Sequence, residues 1–554
     1  MSAEETYEVD QKIHQHASAI NDLEAGDAEF DAQVQAHAAL EAEINKERDA
    51  KIMANPKRFP PAIYTIIPNE FAERFCFYGL TPLLNDFFSK FLGMDLITAD
   101  VWYHLFKSLA YFLPLVGAAL SDSFMNKYNT IVSLSVVYTI GMAMLSIFSK
   151  PGVLGIPGQI PWTWPLISLV LIALGTGGIK PCVSAHAGDQ FLSIQTTQLN
   201  VFYNYFYIAI NVGALIAGFV TPAIQLMNCF GAAKDCYAWA WGTCTIMMAC
   251  SLIVFVAGHR LYRTVPPAGS FIPWELAKIA GIYVHNGFKF GWAEARVKTE
   301  ERVGKAMVVE LFDLLKVIYV LLPSPIFWTA FDQNGSSWLQ QGQQMQYPGW
   351  FDYNTASAVI NPLWIVVLAP IFSNYLYPAI EKRFPGKFGL LARMTVGQFL
   401  AGISFFICAI FQSVIERDCV TTTLDDGTIV CISPTFSIFW QFVPYLVITA
   451  GEVLFSISGL NLTYVEVGKR TKSSCGALWL LTVAIGNVLT SILFRALASW
   501  SRTAFFIFIG ALCIVCSFLQ WLVSRNYVYK ADRPEHAHEH AHKEAATTVT
   551  KLEN

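Results

Sequence analysis

Residues Pro68–Gly79 read PNEFAERFCFYG, and they lie inside an apolar run extending from about residue 60 to residue 92. A run of that length crosses a roughly 30 Å hydrocarbon layer as a helix. Glu70, Glu73 and Arg74 fall within it, and each ionisable side chain there costs at least about 2.5–3.5 kcal/mol on insertion scales. Their i, i+3, i+4 spacing gathers them on one helical face, with Phe77, Tyr78 and Thr81 continuing or flanking it. A single Glu–Arg pair is enough to staple two helices. The second carboxylate points instead to a face that lines a cavity and handles charge.

The whole composition fits that reading. Of 554 residues, 54% are hydrophobic and only 14% charged, against about 25% in soluble domains. The 41 Phe, 22 Tyr and 15 Trp suit lipid-facing surfaces and interfacial belts. Lys and Arg (37) nearly balance Asp and Glu (41), so no basic surface for nucleic acid is indicated. Apolar stretches recur twelve times, at about 60–92, 101–121, 128–149, 162–187, 198–225, 236–259, 308–340, 354–378, 391–415, 434–463, 474–497 and 502–526. These predict an all-α membrane protein with twelve transmembrane helices in two six-helix bundles around a central cavity. The expected organisation is a cytoplasmic tail without a cleavable secretory signal (1–59), a first bundle (60–259), a linker (260–307), a second bundle (308–526) and a tail (527–554). Within the linker, residues 273–304 mix Trp274, Ile279, Ile282, Phe288 and Trp292 with Lys278, Lys289, Arg296 and Lys298, the pattern of amphipathic helices along a bilayer surface.

Cations set the predicted orientation. Lys57, Arg58, Lys127, Arg260, Arg263, Lys382, Arg383, Lys387, Lys469 and Arg470 fall on one side, whereas the other holds chiefly Lys90, Lys150, Lys234 and Arg417. The positive-inside bias places both termini in the cytoplasm. Cys229 with Cys236, and Cys419 with Cys431, then fall in two external loops. Two readings stand for each pair, a disulfide or free thiols.

Further charges sit in other spans. His104 and Lys107 lie in VWYHLFKSLAYFLP (Val101–Pro114), where His104 suits proton handling or is a simple interfacial histidine, and Lys107 either joins it or snorkels to the surface. Lys180 lies in LGTGGIKPCVSAHAGDQF (Leu174–Phe191); the glycine spacing is not that of a phosphate-binding loop, and a buried Lys calls for a carboxylate partner. Asp332 and Glu452 add anions in the seventh and tenth spans. Tyr203, Asn204, Tyr207 and Asn211 in the fifth span, and Asn361 in the eighth, supply polar groups for a ligand or for helix–helix hydrogen bonds. No nucleophile–base set or cofactor motif points to an enzyme. His536, His538, His540 and His542 in the last segment suit a solvated tail better than a metal site.

Glu70-x-x-Glu73-Arg74-Phe75 followed by Phe77-Tyr78-Gly79, Gly175 to Pro181, Tyr203 to Leu215 and Phe327 to Trp338 together resemble the signatures of the proton-coupled oligopeptide transporter family. GAALSDSFMNKYNTI, with Gly117, Asp122 and Lys127, is similar to the loop motif of the wider major facilitator superfamily. The resemblance covers about residues 60–526 and implies that superfamily's fold. It further implies symport of di- and tripeptides with protons by alternating access, the proton being the coupling ion and no other cofactor being needed. By the same resemblance, Glu70, Glu73, Arg74, His104, Lys180, Asp332 and Glu452 handle protons. Lys180 and Arg74 would face the peptide carboxylate, and Glu452, supported by Asn211 and Asn361, the amino group. Tyr78, Tyr111, Trp328 and Trp479 would line the pocket.

The pattern also departs from the family. Thr81 stands where many bacterial and animal members carry an arginine that pairs with the seventh-span acid, so Asp332 needs another partner. Cys182 stands where Asn is common, and Asn126 where Gly is common. The short segment between spans nine and ten lacks the large domain of animal members. The whole is closest to a fungal-type or other microbial eukaryotic member. A functional unit of one chain in the plasma membrane is implied, with vacuolar or lysosomal membranes as alternatives. The competing functions are the same fold carrying nitrate, an amino acid or another small organic anion, and a peptide-sensing receptor.

Overall fold

The computed structural model describes residues 46, 48–50, 52–55, 57–154, 161–192, 195–230, 236–265, 272–423, 429–467, 472–530 and 533. The first bundle comprises α1 (Ile63–Asp86), α2 (Leu96–Phe112), α3 (Pro114–Ser123), α4 (Lys127–Phe148), α5 (Thr163–Gly188), α6 (Thr196–Gln225) and α7 (Tyr237–Ala257). A hairpin of α8 (Ile272–Phe290) and α9 (Trp292–Val303) follows. The second bundle comprises α10 (Lys305–Leu321), α11 (Ser324–Phe331), α12 (Ser337–Gln343), α13 (Tyr353–Ile371), α14 (Tyr377–Arg383), α15 (Leu390–Asp418), α16 (Phe442–Val465), α17 (Lys472–Ala496) and α18 (Arg502–Arg525). Between α15 and α16, β1 (Val420–Thr423) pairs antiparallel with β2 (Ile429–Ile432), a small strand element that the all-α expectation omitted.

Ten helical segments among the described residues are long and apolar enough to cross a membrane. The other two expected spans exist in altered form. Helix α1 is long enough but carries Glu70, Glu73, Arg74 and Asp86. The seventh span is broken into α10, α11 and α12, because Pro323 and Pro325 interrupt the ladder and Gly335 closes a short 3-10 turn at Asp332–Gly335. Helix starts are fixed locally: the carboxylates of Asp95 and Asp352, the amide oxygen of Asn126 and the hydroxyl of Ser501 each accept from the backbone N–H three residues on.

Buried apolar side chains form two main clusters, one drawn from residues 62–262 and the other from residues 276–513. Within the first, Gly117 and Gly178 let α3 and α5 touch backbone to backbone; a Cβ on Gly117 would meet the Gly178 Cα at 2.4 Å. The bundles meet along α6 with α13, and along α2 and α3 with α17. Alternation of the helices puts the α8–α9 hairpin on one face and the β1–β2 hairpin on the other. On the second face Cys229 is bonded to Cys236 and Cys419 to Cys431, with Cα separations of 5.2 and 5.3 Å.

Polar bridges between the bundles gather toward the disulfide face. Asp86 at the end of α1 is buried and accepts from Tyr353 Oη (2.6 Å), Asn354 Nδ2 (3.0 Å) and Gln343 Nε2 (2.9 Å), and Lys90 pairs with it at 3.1 Å. Asp100 accepts from Gln340 Nε2 at 2.8 Å and from Asn85 Nδ2 at 2.6 Å. The linker face has its own charge cluster. Arg533 donates to Asp313 on α10 (2.6 Å) and to Glu466 at the end of α16 (3.1 Å), while Tyr527 Oη and Lys530 N each donate to Glu466 at 2.8 Å.

Candidate functional site

Between the bundles lies a pocket lined from the first bundle by Tyr78 and Thr81 of α1, Tyr103, Lys107 and Tyr111 of α2, and Asn211 of α6. From the second it is lined by Trp328 of α11, Asp332, Asn361 of α13 and Glu452 of α16. The break in the seventh span matters here. It ends α11 at Phe331, with Trp328, Phe331 and Asp332 at i, i+3 and i+4 facing the pocket together.

Lys107 and Asp332 form an ion pair across the bundle interface, both largely buried. Asn487 of α17 holds the other oxygen of Asp332 (Nδ2–Oδ2 2.6 Å) and meets His104 Nδ1 through its amide oxygen at 2.8 Å. His104 Nε2 meets Ser336 Oγ at 2.9 Å. Lys107 therefore does not snorkel: a buried acid with no arginine at position 81 draws the ammonium inward. His104 is fully buried in the bridge rather than interfacial. On the far side, Asn361 Nδ2 donates to Glu452 Oε2 at 2.8 Å and to Thr449 Oγ1 at 2.9 Å, which fixes the Glu452 carboxylate toward the cavity.

The α1 charge cluster lies behind the pocket wall. Arg74 Nε approaches Glu70 Oε1 at 2.7 Å and Glu73 Oε2 at 3.0 Å; the second contact has ion-pair distance without hydrogen-bond alignment. Thr176 of α5 donates to the other Glu73 oxygen. Because the guanidinium engages both acids, Lys180 is left without the carboxylate that its burial called for. Its Nζ has no hydrogen-bond partner among the described residues and sits over the rings of Phe77 (4.2 Å) and Tyr111 (4.1 Å). Both rings line the pocket, so Lys180 is one ring-layer behind it.

Of the residues expected to bind substrate, Tyr78, Tyr111, Asn211, Trp328, Asn361 and Glu452 line the pocket, whereas Lys180 and Trp479 do not. Trp479 stands behind Trp328, with ring centroids 5.7 Å apart, and Trp328 Nε1 donates to Thr482 Oγ1 at 3.1 Å. The side chains of Tyr203, Asn204, Tyr207 and Asp122, together with Lys469, Arg470 and the four C-terminal histidines, lie outside the described residues. Tyr103, Asn487, Asp86 and Arg533 escaped the sequence reading. Asp86 carried a signal, a fourth charge in the first span, but nothing in sequence tied Arg533 to Asp313.

Comparison with known proteins adds a decisive observation: the profile described as PTR2, POT family, matches residues 128–508. The chain belongs to the POT family. It is 38% identical over 376 residues to solute carrier family 15 member 1 of Mus musculus, covering 65% of this chain and 53% of the mouse protein. It is 38% identical over 388 residues to peptide transporter family 1 of Drosophila melanogaster, covering 67% of this chain and 50% of the fly protein. The chain thus spans about half the length of the curated relatives it matches. Among solved structures, the POT family transporter PepTSo superposes with a TM-score of 0.72 at 27% identity, covering 85% of this chain and 99% of that one. An auto-inhibited POT family peptide transporter gives 0.70 at 26% identity, with 86% and 99% covered. These place the POT chain in the major facilitator fold, as a membrane protein of a transporter family.

Proposed function

We propose that this chain is a symporter that imports di- and tripeptides with protons by alternating access, as a single chain in the plasma membrane with both termini cytoplasmic. The observation that carries this reading is the pair of opposed charged sites in one pocket: Glu452, oriented by Asn361, and Lys107, held by Asp332. A short peptide presents an ammonium at one end and a carboxylate at the other, whatever its side chains. Fixed charges match the ends, and aromatic walls such as Tyr78 and Trp328 tolerate the variable middle. Glu452 disfavours a simple anion such as nitrate.

Protons enter through the acids. A proton on Asp332 cancels the anion that holds Lys107 and frees an ammonium for the peptide carboxylate. Glu70 and Glu73 compete for Arg74, so protonation of either shifts the guanidinium and the electrostatics felt by Lys180. His104 reaches the same network through Asn487. Polar bridges toward the disulfide face would hold that face shut, and release would then occur toward the linker face. Each unit of pH difference supplies about 1.4 kcal/mol per proton, and each 100 mV about 2.3 kcal/mol per charge.

Uptake of a dipeptide into liposomes containing the purified protein, with and without an inward proton gradient, tests the proposal. Gradient-stimulated uptake that di- and tripeptides block, and that nitrate and free amino acids leave intact, is the expected result. Binding without turnover would favour a sensor, and absence of peptide competition would overturn the cargo assignment.

A further inference from the structure

The hairpin α8–α9 lies outside the pocket and takes no part in the chemistry above. One side of α8 is occupied: Leu276 and Ile279 are buried in the core of the second bundle, Tyr283 packs edge-on to Phe312 of α10 at 5.2 Å, and Asn286 Nδ2 donates to Thr299 Oγ1 of α9 at 3.0 Å. Arg296 adds a stacking contact over Phe312 at 5.0 Å. These contacts fix the hairpin to the base of α10.

The opposite side of α8 is uncovered. Trp274, Lys278, Gly281, His285 and Phe288 recur at i+3 or i+4 and form one outward row, continued at the hairpin turn by Lys289 and Trp292. Phe288 is 82% exposed, Trp274 61% and Trp292 55%. Lys278 Nζ lies 5.6 Å from the Trp274 ring within that row, and at its end Lys289 Nζ lies 5.0 Å from the ring of Phe290. That row contains no acid. On α9, Glu300 is paired with Arg296 and Glu301 with Lys298; Glu275 lies on the flank of α8 and Glu294 on α9.

Large aromatic rings facing water are costly, and rings combined with lysines are the composition that settles at a lipid headgroup layer. Lysines on a row that itself holds no acid, with Glu275 at its flank three residues before Lys278, add attraction to anionic headgroups over neutral ones. We propose that the outward row of α8 from Trp274 to Phe288, flanked at the hairpin turn by Lys289 and Trp292, is a docking surface for the anionic phospholipid headgroups of the bilayer. The α10 helix at which the hairpin is anchored carries Asp313 and is the first piece of the broken span that bears Asp332. The proposal is independent of the cargo.

Backbone hydrogen exchange of residues 274–292 in the full-length protein, embedded in nanodiscs of phosphatidylcholine alone or phosphatidylcholine with phosphatidylserine, tests it. Exchange is expected to be slower in the phosphatidylserine discs, with the difference lost at high salt. The double variant Lys278→Gln/Lys289→Gln, at two exposed positions, is expected to lose the lipid-dependent protection, and Trp274→Ala/Phe288→Ser to lose protection in both discs. Equal exchange of the wild-type protein in the two discs, or a difference that survives in the double lysine variant, would overturn the proposal. Strong protection independent of lipid would mean that another part of the chain or a second copy covers the row.

Discussion

Lys107 on α2 and Asp332 at the break in the seventh span form a largely buried ion pair that joins the two bundles beside the pocket. Removing one partner of such a pair leaves an uncompensated charge, whereas removing both does not. Lys107→Ala should therefore destabilise the detergent-solubilised protein by about 3–5 kcal/mol. Lys107→Met/Asp332→Leu should recover most of that loss without recovering transport. Thermal unfolding of the three proteins checks this; a double variant as unstable as the single would remove the pair from the account.

Glu452 is the pocket acid held by Asn361. Glu452→Gln keeps the shape and removes the charge, so affinity for a free dipeptide should fall by about 2–5 kcal/mol. Affinity for the same peptide with an acetylated amino terminus, weak in both proteins, should be little changed. Asn361→Ala loses an orienting hydrogen bond and should cost about 1–3 kcal/mol. Competition binding with the two peptides reads the difference.

On the linker face, Arg533 neutralises Asp313 and Glu466 together. In Arg533→Met both acids lose the guanidinium, while Tyr527 and Lys530 still donate to Glu466. The expected loss is about 3–5 kcal/mol, with the largest increase in hydrogen exchange at the start of α10 and the end of α16. Exchange changes confined to the tail would contradict this.

Asp352 caps α13 just outside the membrane span, and burial raises its carboxyl above the usual range, aided by the charge of Asp86. An acid with a raised folded pKa binds its proton more tightly folded than unfolded. Its contribution is fully present below the unfolded pKa and is lost as pH rises through the folded one. Asp352→Asn keeps a capping oxygen and removes this titration. The variant should gain stability relative to wild type as pH rises from mildly acidic to neutral, in melts compared across that window. Asp95 has the opposite sign: the Thr98 hydroxyl and backbone N–H donate to it and hold it below its usual range, so its contribution is lost on acidification.

The Cys419–Cys431 bond closes a short loop around β1 and β2. Constraint of a loop that size is worth about 3 kcal/mol in the unfolded chain. Cys419→Ser/Cys431→Ser should therefore loosen the β hairpin, seen as faster exchange of its amides, while the pocket is unaffected.

The sequence alone determined the twelve-span plan, the interruption at Arg260–Met307 and the residues too costly to be in lipid without purpose, because helix length and insertion cost are local properties of a chain. It placed Tyr78 on or beside the charged face of the first span, left Asn361 between ligand and helix–helix bonding, and reached Glu452 as an amino-group partner only through the family resemblance. What it did not determine was who pairs with whom. Arg74 takes both Glu70 and Glu73 because its Nε lies within ion-pair distance of each, and that choice leaves Lys180 over Phe77 and Tyr111. Lys107 turns inward because Asp332, 225 residues away, is buried and lacks a closer cation. Arg533 finds Asp313 across 220 residues because both are buried where the two chain segments meet. Charge burial is a local cost, but its compensation is a property of three-dimensional proximity, and only the packed bundles decide it.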